Sequence, residues 1–274
     1  MAYEFVPVNR ETSIFSAKRL LVDTIWKQAN IEIQKGITFP ETNEVLEGRV
    51  PSTLNYDEAL TVNNIKRAWE YLFKHIDAPI SFGVISDYNS ILGEGGLIEN
   101  GGKLRAYHAN ITGTEYVPPL PTSDLVLEKI SEFDSISQPV ERGLSYFSDI
   151  AKGQWFNDGN KRTASMVANH YLVQQGVGLF AMNVPEKKVF FDELIKYYEG
   201  NSRNSYHDYL YTNAFELMPS GLTPKKFKSL ENEPSVKQAP TRVEANSYAE
   251  MKQAERQKNS ENPTPTQKSK GLSR

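Results

Sequence analysis

A single decamer, GQWFNDGNKR at residues 153–162, constrains this chain more than any other stretch, because a helix-forming run, TASMVANHYL, follows it directly. A loop that leads into a helix presents amides without intrahelical acceptors at the positive end of the helix dipole, which together favour anion binding. Lys161 and Arg162 add positive charge, and a guanidinium matches the geometry of phosphate. Asp158 adds the hard oxygen ligand that Mg²⁺ takes beside substrate phosphates. The decamer therefore predicts a site for a phosphate chain and magnesium; an ordinary capped helix start is the alternative.

The decamer resembles the signature of the Fic/Doc (Fido-fold) family, usually written HPFx(D/E)GN(G/K)R. Gln154 stands where the family has its catalytic histidine, Trp155 replaces the proline, and Ser165 replaces a second arginine that many members carry. The resemblance implies a mainly α fold, a Fic-type helical bundle with a short β-hairpin flap. It also implies that the matching residues bind the nucleotide, with Asp158 as the metal ligand: Phe156, Asp158, Gly159, Asn160, Lys161 and Arg162.

The resemblance implies a transferase whose chemistry the missing histidine weakens. In the family, that histidine deprotonates a Ser, Thr or Tyr hydroxyl of a target protein, which then attacks a nucleotide phosphate. Gln154 cannot act as a base, and general-base assistance contributes about 10²–10⁴-fold, although a glutamine can orient a nucleophile. We therefore expect a slow or atypical transfer of AMP, or another phosphate-containing group, with Gln154, Asp158 and Arg162 as catalytic residues, ATP as co-substrate and Mg²⁺ as cofactor. The alternative is a non-catalytic nucleotide-binding regulatory module.

A glutamate near the N-terminus is a candidate inhibitory residue. Residues 13–32 have the apolar spacing of an amphipathic helix, and the end of this helix resembles the family's (S/T)xxxE(G/N) motif, whose glutamate obstructs productive ATP binding. Glu32 is the matching residue, although Gln28 and Ile33 depart from the motif. Glu47 is a second candidate, and a solvated glutamate at a helix end is the plain alternative for both.

The stretch from residue 101 to residue 121 contains a Gly-x-x-Arg element, short β-prone pieces and a Pro-Pro pair. This pattern predicts a β-hairpin around Thr112, Gly113 and Thr114. In the resembling family, such a hairpin is the flap on which a target protein docks by strand addition. An ordinary exposed hairpin is the alternative.

The resemblance and the changes in composition together predict three parts. These are an N-terminal helical region (1–56) with the candidate inhibitory helix, a Fic/Fido core (57–215) and a tail (216–274). From Pro219 onward the chain has eleven Lys or Arg against six Asp or Glu, six prolines and few aromatics. Such a segment buries too little apolar surface to fold, so we expect a disordered basic tail.

The overall composition excludes several classes of function. The chain has no cysteine, and its four histidines have no ligand spacing, so thiolate chemistry and a zinc site are not expected. The net charge of −3 gives no indication of nucleic acid as a partner. No apolar run reaches the length of a membrane span and no signal peptide is recognisable, so we expect a cytoplasmic protein without a membrane partner.

Overall fold

A computed structural model describes residues 3–231, which form eleven α-helices and one pair of short strands. The prediction of a mainly α fold is confirmed. The helices are α1 (Arg10–Arg19), α2 (Leu21–Glu32), α3 (Phe39–Leu46), α4 (Tyr56–Lys74), α5 (Phe82–Leu92), α6 (Ser123–Ser135), α7 (Pro139–Gly153), α8 (Asn160–Gln175), α9 (Lys187–Tyr198), α10 (Arg203–Asn213) and α11 (Pro224–Glu231).

Helix α8 is the central element of the bundle. Its residues from Arg162 to Val173 are all buried, and it packs against α7, α5, α1, α2 and α4. Because α8 has no solvent face, its polar side chains need internal partners. Asn169 exchanges hydrogen bonds with the backbone of Phe180, at 2.8 and 2.9 Å. The nitrogen Nδ1 of His170 lies 2.8 Å from the hydroxyl of Tyr88. Helix α8 is therefore held in place by the core on all sides.

The predicted N-terminal helix is present but divided. Leu20, with φ −90° and ψ 2°, ends α1 and precedes α2, so the helix changes direction within the segment predicted as one. Thr38 and Asn55 begin the next two helices through capping boxes with Glu41 and Glu58, which satisfy the first amides of each helix. Helix α2 contacts α3, α4 and α8, and this contact brings its C-terminal end to the decamer.

The two strands form an antiparallel pair outside the segment predicted as a hairpin. Strand β1 (Gly178–Phe180) pairs with β2 (Phe215–Leu217) in the register Gly178↔Leu217. Residues 101–121 contain no strand; they form an extended loop, and Thr112 and Gly113 make a turn in it. The placement of a hairpin at residues 112–114 was therefore wrong. The Gly-x-x-Arg backbone is instead anchored by one bridge, between Leu104 and Phe156.

The boundary predicted for the tail lies too early. Helix α11 and two of the three residues of β2 were assigned to the tail. One of these two, Glu216, is buried, and its carboxylate accepts a hydrogen bond from Lys27 at 2.5 Å. Within the described residues, the chain up to Lys228 forms one compact unit. Residues 232–274, where most of the predicted tail lies, are outside the described residues. Within residues 3–231, no helix has both the length and the apolar composition needed to cross a bilayer.

Candidate functional site

The decamer folds into a tight loop between α7 and α8 that two residues shape. Gly159 has φ +72°, and a Cβ at this position would lie 2.4 Å from Cδ1 of Ile98, so the loop needs glycine here. The side chain of Asn160 closes the loop: it accepts a hydrogen bond from the amide of Phe156 and donates one to the carbonyl of the same residue, both at 2.9 Å. Phe156 itself is buried and its ring stacks on Phe82.

The N-terminus of α8 presents donors without protein partners. The N-cap residue Gly159 offers no side-chain cap, so the amides of the first helical turn have no intrahelical acceptor. The ammonium of Lys161 forms no hydrogen bond or ion pair with any of residues 3–231. The side chain of Arg162 is only 3% exposed, its Nε lies 3.2 Å from Oε2 of Glu32, and Nη2 lies 3.6 Å from Oδ2 of Asp158. Because neither contact is a well-aligned hydrogen bond, Nε remains buried without one. Such a donor favours an anionic ligand.

Asp158 lies beside this helix end with its side chain 61% exposed. Its Oδ1 accepts the amide of Gly159 at 2.6 Å, and its main-chain oxygen accepts a hydrogen bond from Asn89 at 2.9 Å. Among residues 3–231, no group of three His, Cys, Asp or Glu side chains could hold a metal alone. A single exposed carboxylate next to an anion site does suit Mg²⁺, which takes its other ligands from phosphates and water. Asp158 therefore fits a metal that arrives with the nucleotide.

The side chain of Gln154 is engaged in holding the loop together. The residue ends α7 in the left-handed conformation, with φ 47°. Its Nε2 donates to the carbonyl of Ala151 at 2.6 Å, and its Oε1 accepts from Asn160 at 3.2 Å. Both ends of the amide thus have internal partners. The nearby hydroxyl of Tyr198 also donates to Ala151, and burial raises its pKa far above the ordinary value, so this tyrosine does not supply the missing base.

Glu32 reaches the decamer, as expected for an inhibitory residue, and its partner there is Arg162. At the position of the absent second arginine, the hydroxyl of Ser165 accepts a hydrogen bond from Gln28 at 2.9 Å, and Gln28 in turn accepts one from the indole of Trp69 at 2.7 Å. This buried chain of hydrogen bonds fixes α2 against α8 one turn before Glu32. The second candidate, Glu47, is exposed and makes its hydrogen bonds to Asn43 and Arg49, outside the site.

Two cavities meet at Glu32 and Gln34 in front of α8. One, of about 250 Å³, is bordered by Arg162 and Asp158. The other, of about 350 Å³, is bordered by Lys161, by Lys187 of α9 and by Thr112 of the extended loop. A larger cavity of about 450 Å³ lies between the extended loop and helices α6 and α7. None of the residues from Asp158 to Arg162 borders it. The chemistry of the decamer therefore faces the two smaller cavities.

Arg105, whose role the sequence did not reveal, connects the decamer to the extended loop. It is only 2% exposed, and its guanidinium donates to main-chain carbonyls on both sides of the turn. The acceptors are Gln154 at 2.5 Å, Tyr107 at 2.6 Å, Pro118 at 3.2 Å and Pro119 at 2.5 Å. Burial lowers the pKa of Arg105. The loop that carries Thr112, Gly113 and Thr114 is therefore anchored at its base to the decamer.

Comparison with known proteins identifies this core. The family model described as "Fic/DOC family" matches residues 59–172, from α4 through the decamer to α8. Residues 59–172 are a Fic domain. The match includes the loop, Arg162 and Asp158, and it excludes α2 with Glu32. No curated protein matches the chain in sequence.

Solved Fic-domain structures share the fold. A segment of Fic-1 from C. elegans superposes with a TM-score of 0.59 at 16% identity, covering 72% of this chain and 62% of that one. A Fic-domain-containing signaling protein from Bacteroides thetaiotaomicron gives 0.61 at 16% identity, over 74% of this chain and 86% of that one. A Fic family protein from Desulfovibrio desulfuricans gives 0.51 at 17%, over 69% and 56%. At these identities the likeness establishes the fold. The chain spans less than two thirds of the C. elegans structure.

Proposed function

We propose that this Fic domain binds a nucleotide such as ATP with Mg²⁺ and transfers AMP, or another phosphate-containing group, to a hydroxyl side chain of a target protein. The observation that carries the proposal is the buried guanidinium of Arg162, whose Nε has no hydrogen bond and borders a cavity at the N-terminus of α8. A buried charged donor without an aligned acceptor costs free energy unless a ligand satisfies it.

The roles of the residues follow from their positions. The first amides of α8 and the ammonium of Lys161 bind phosphate oxygens, and Arg162 neutralises charge that develops on the transferred group. Asp158 would hold Mg²⁺, which screens the phosphate charges when it is bound. Thr112, Gly113 and Thr114 border or adjoin the ligand cavity, so the extended loop is the docking segment for the target protein.

The transfer is slow in this proposal because Gln154, which occupies the histidine position of the signature, cannot act as a base. The side-chain amide of Gln154 is hydrogen-bonded to Ala151 and Asn160, so it does not deprotonate the target hydroxyl. The absent general base corresponds to a loss of about 10²–10⁴-fold in rate. Phosphoryl and nucleotidyl transfer still gain from positioning and charge neutralisation, which the loop and the helix N-terminus provide.

The internal bonds of Gln154 also favour a second candidate, a nucleotide-binding regulatory module without catalysis. If Gln154 serves only to close the loop, nucleotide binding is the function of the domain, and target docking depends on it. Asp158, Lys161 and Arg162 have the same binding roles in this alternative.

Glu32 is an inhibitory residue in either case. Its carboxylate lies 3.2 Å from Arg162, so it competes with a phosphate for the same guanidinium. Glu32→Gln removes the competing charge and keeps the shape of the side chain. We expect this substitution to tighten ATP binding, with Glu44→Gln on α3, outside both cavities, as the control.

The experiment that tests the proposal is label transfer from α- and γ-labelled ATP to proteins of a cell lysate. We expect weak labelling by the native protein, more by Gln154→His, up to about 10²–10⁴-fold, and none by Gln154→His combined with Asp158→Ala. If the native protein transfers no label and the Gln154→His variant does, the result supports the binding module. Native labelling that Gln154→His abolishes would refute the roles assigned to the loop.

A further inference from the structure

The two cavities in front of α8 differ in charge. The cavity of Arg162 is bordered by that one guanidinium and by the carboxylates of Glu32, Asp57 and Asp158. A fourth carboxylate, Glu58, is compensated by Lys35 at 2.7 Å. Its one guanidinium lies 3.2 Å from Glu32 and 3.6 Å from Asp158, so its charge is already partly compensated. A chain of phosphates bound at Arg162 therefore needs a further cation nearby, since its like charges repel.

The neighbouring cavity has the opposite balance. Two ammonium groups, Lys161 and Lys187, border it, and Glu32 is its single acidic residue. That carboxylate is shared with Arg162, which lies 3.2 Å from it. Gln34 and Thr112 add polar groups that can donate hydrogen bonds. The cavity of about 350 Å³ therefore has both the charge and the donors for phosphate oxygens.

Lys187 is positioned to donate into this cavity. It begins α9 and its Nζ donates to the carbonyl of Ile33 at 2.8 Å and to that of Gln34 at 3.4 Å. An ammonium has three N–H groups, so one donor remains. Among the described residues Lys187 forms no ion pair, and burial lowers its pKa although the charge of Glu32 opposes the shift. An anion in the cavity would provide the missing counter-charge.

We propose that Lys187 is a phosphate-binding residue, which holds the phosphates of the nucleotide together with Lys161 in the larger of the two cavities. It supplies, from α9, the second cation that Ser165 does not supply from α8. The inference rests on the proposed nucleotide binding, and it extends the phosphate site from Arg162 and the N-terminus of α8 toward α9.

The competing interpretation is that Lys187 only ties the end of α2 to α9. Both its observed acceptors are carbonyls just after α2, and a cation there also suits the helix dipole. The two interpretations predict different effects of the Lys187 charge on ligand binding. A tether affects folding and every ligand equally, whereas a phosphate ligand affects only compounds that carry phosphate.

The test is calorimetric titration of the full-length protein with ADP, inorganic pyrophosphate and adenosine. The variants are Lys187→Gln, Lys187→Arg and Lys161→Gln, with Lys188→Gln as the control. The side chain of Lys188 is 85% exposed and pairs with Asp192. We expect Lys187→Gln to weaken ADP and pyrophosphate about tenfold, a typical loss for one partly buried charge-assisted hydrogen bond. Adenosine binding should be unchanged, Lys188→Gln should match the native protein, and Lys187→Arg should retain most of the ADP affinity.

Each result decides between the two interpretations. If Lys161→Gln weakens ADP binding but Lys187→Gln behaves like Lys188→Gln, Lys187 is only a tether and nucleotide binding stands. If Lys187→Gln weakens ADP and adenosine equally, or Lys187→Arg fails as badly as Lys187→Gln, the phosphate role is also overturned. If the native protein binds neither ADP nor pyrophosphate, the proposed function fails together with this inference.

Discussion

Replacing Arg105 by methionine tests how the extended loop is held. Methionine keeps an apolar stem of similar length but removes a guanidinium that donates to four main-chain carbonyls, on Gln154, Tyr107, Pro118 and Pro119. A hydrogen bond to a charged group contributes about 1.5–3 kcal/mol. The four are not additive, and the carbonyls of an exposed loop regain water. We therefore expect the free energy of unfolding to fall by about 3–5 kcal/mol, a large part of the stability of about 5–15 kcal/mol of a typical domain.

The assay is urea unfolding, with Arg67→Met as the matched control. Arg67 is 49% exposed and pairs with Glu94 on the surface, so its loss should cost less than about 1 kcal/mol. Chymotrypsin cleavage after Tyr107 gives a local readout, which should accelerate in Arg105→Met well before global unfolding. If Arg105→Met is as mild as Arg67→Met in both assays, the anchoring role of Arg105 is refuted.

Two further predictions concern the loop glycine and the buried histidines. Gly159→Ala should destabilise by about 1–2 kcal/mol more than Gly48→Ala, because both have φ above +70° but only Gly159 lacks room for a Cβ; equal losses in thermal unfolding would contradict this. Burial lowers the pKa of His170 to about 4, and burial followed by Arg203 lowers that of His207 to about 3. Below pH 6.5 the unfolded chain therefore binds more protons than the folded chain. As the pH falls from 6.5 to about 4, we expect each of these histidines to lower the free energy of unfolding by about 1.4 kcal/mol per pH unit. His207→Asn should flatten the urea-unfolding profile and the exposed His108→Gln should not, and a flat native profile would oppose the assignment.

The sequence predicted the loop and the start of the helix well because neighbouring residues specify both. Gly159, Asn160, Lys161 and Arg162 are consecutive, so the helix start that positions them needs only local information. The approach of Glu32 to the decamer was also expected, through the motif at the end of the first helix. The structure shows the contact, and inhibition remains a prediction.

The parts that the sequence missed depend on distant packing. Lys187 reaches the site from α9, and nothing in its neighbourhood along the chain indicates that α2 ends beside it. The hairpin was predicted from β-prone residues around Thr112, but strands need a partner, and Arg105 takes the backbone carbonyls at the base of the segment instead. Two residues of β2 were assigned to the tail because a strand of three residues carries little signal in the sequence, and β1 supplies the pairing that orders it.

The central claim is that the N-terminus of α8 binds the phosphates of a nucleotide. The most direct measurement is a ¹H–¹⁵N correlation spectrum of the native protein titrated with Mg²⁺–ADP, followed at the amides of Asn160, Lys161 and Arg162. Amides that gain a phosphate acceptor should shift in a saturable manner with one dissociation constant, while the amide of Gly176 at the far end of α8 should not move. Unchanged amides at residues 160–162 at saturating nucleotide would contradict the account.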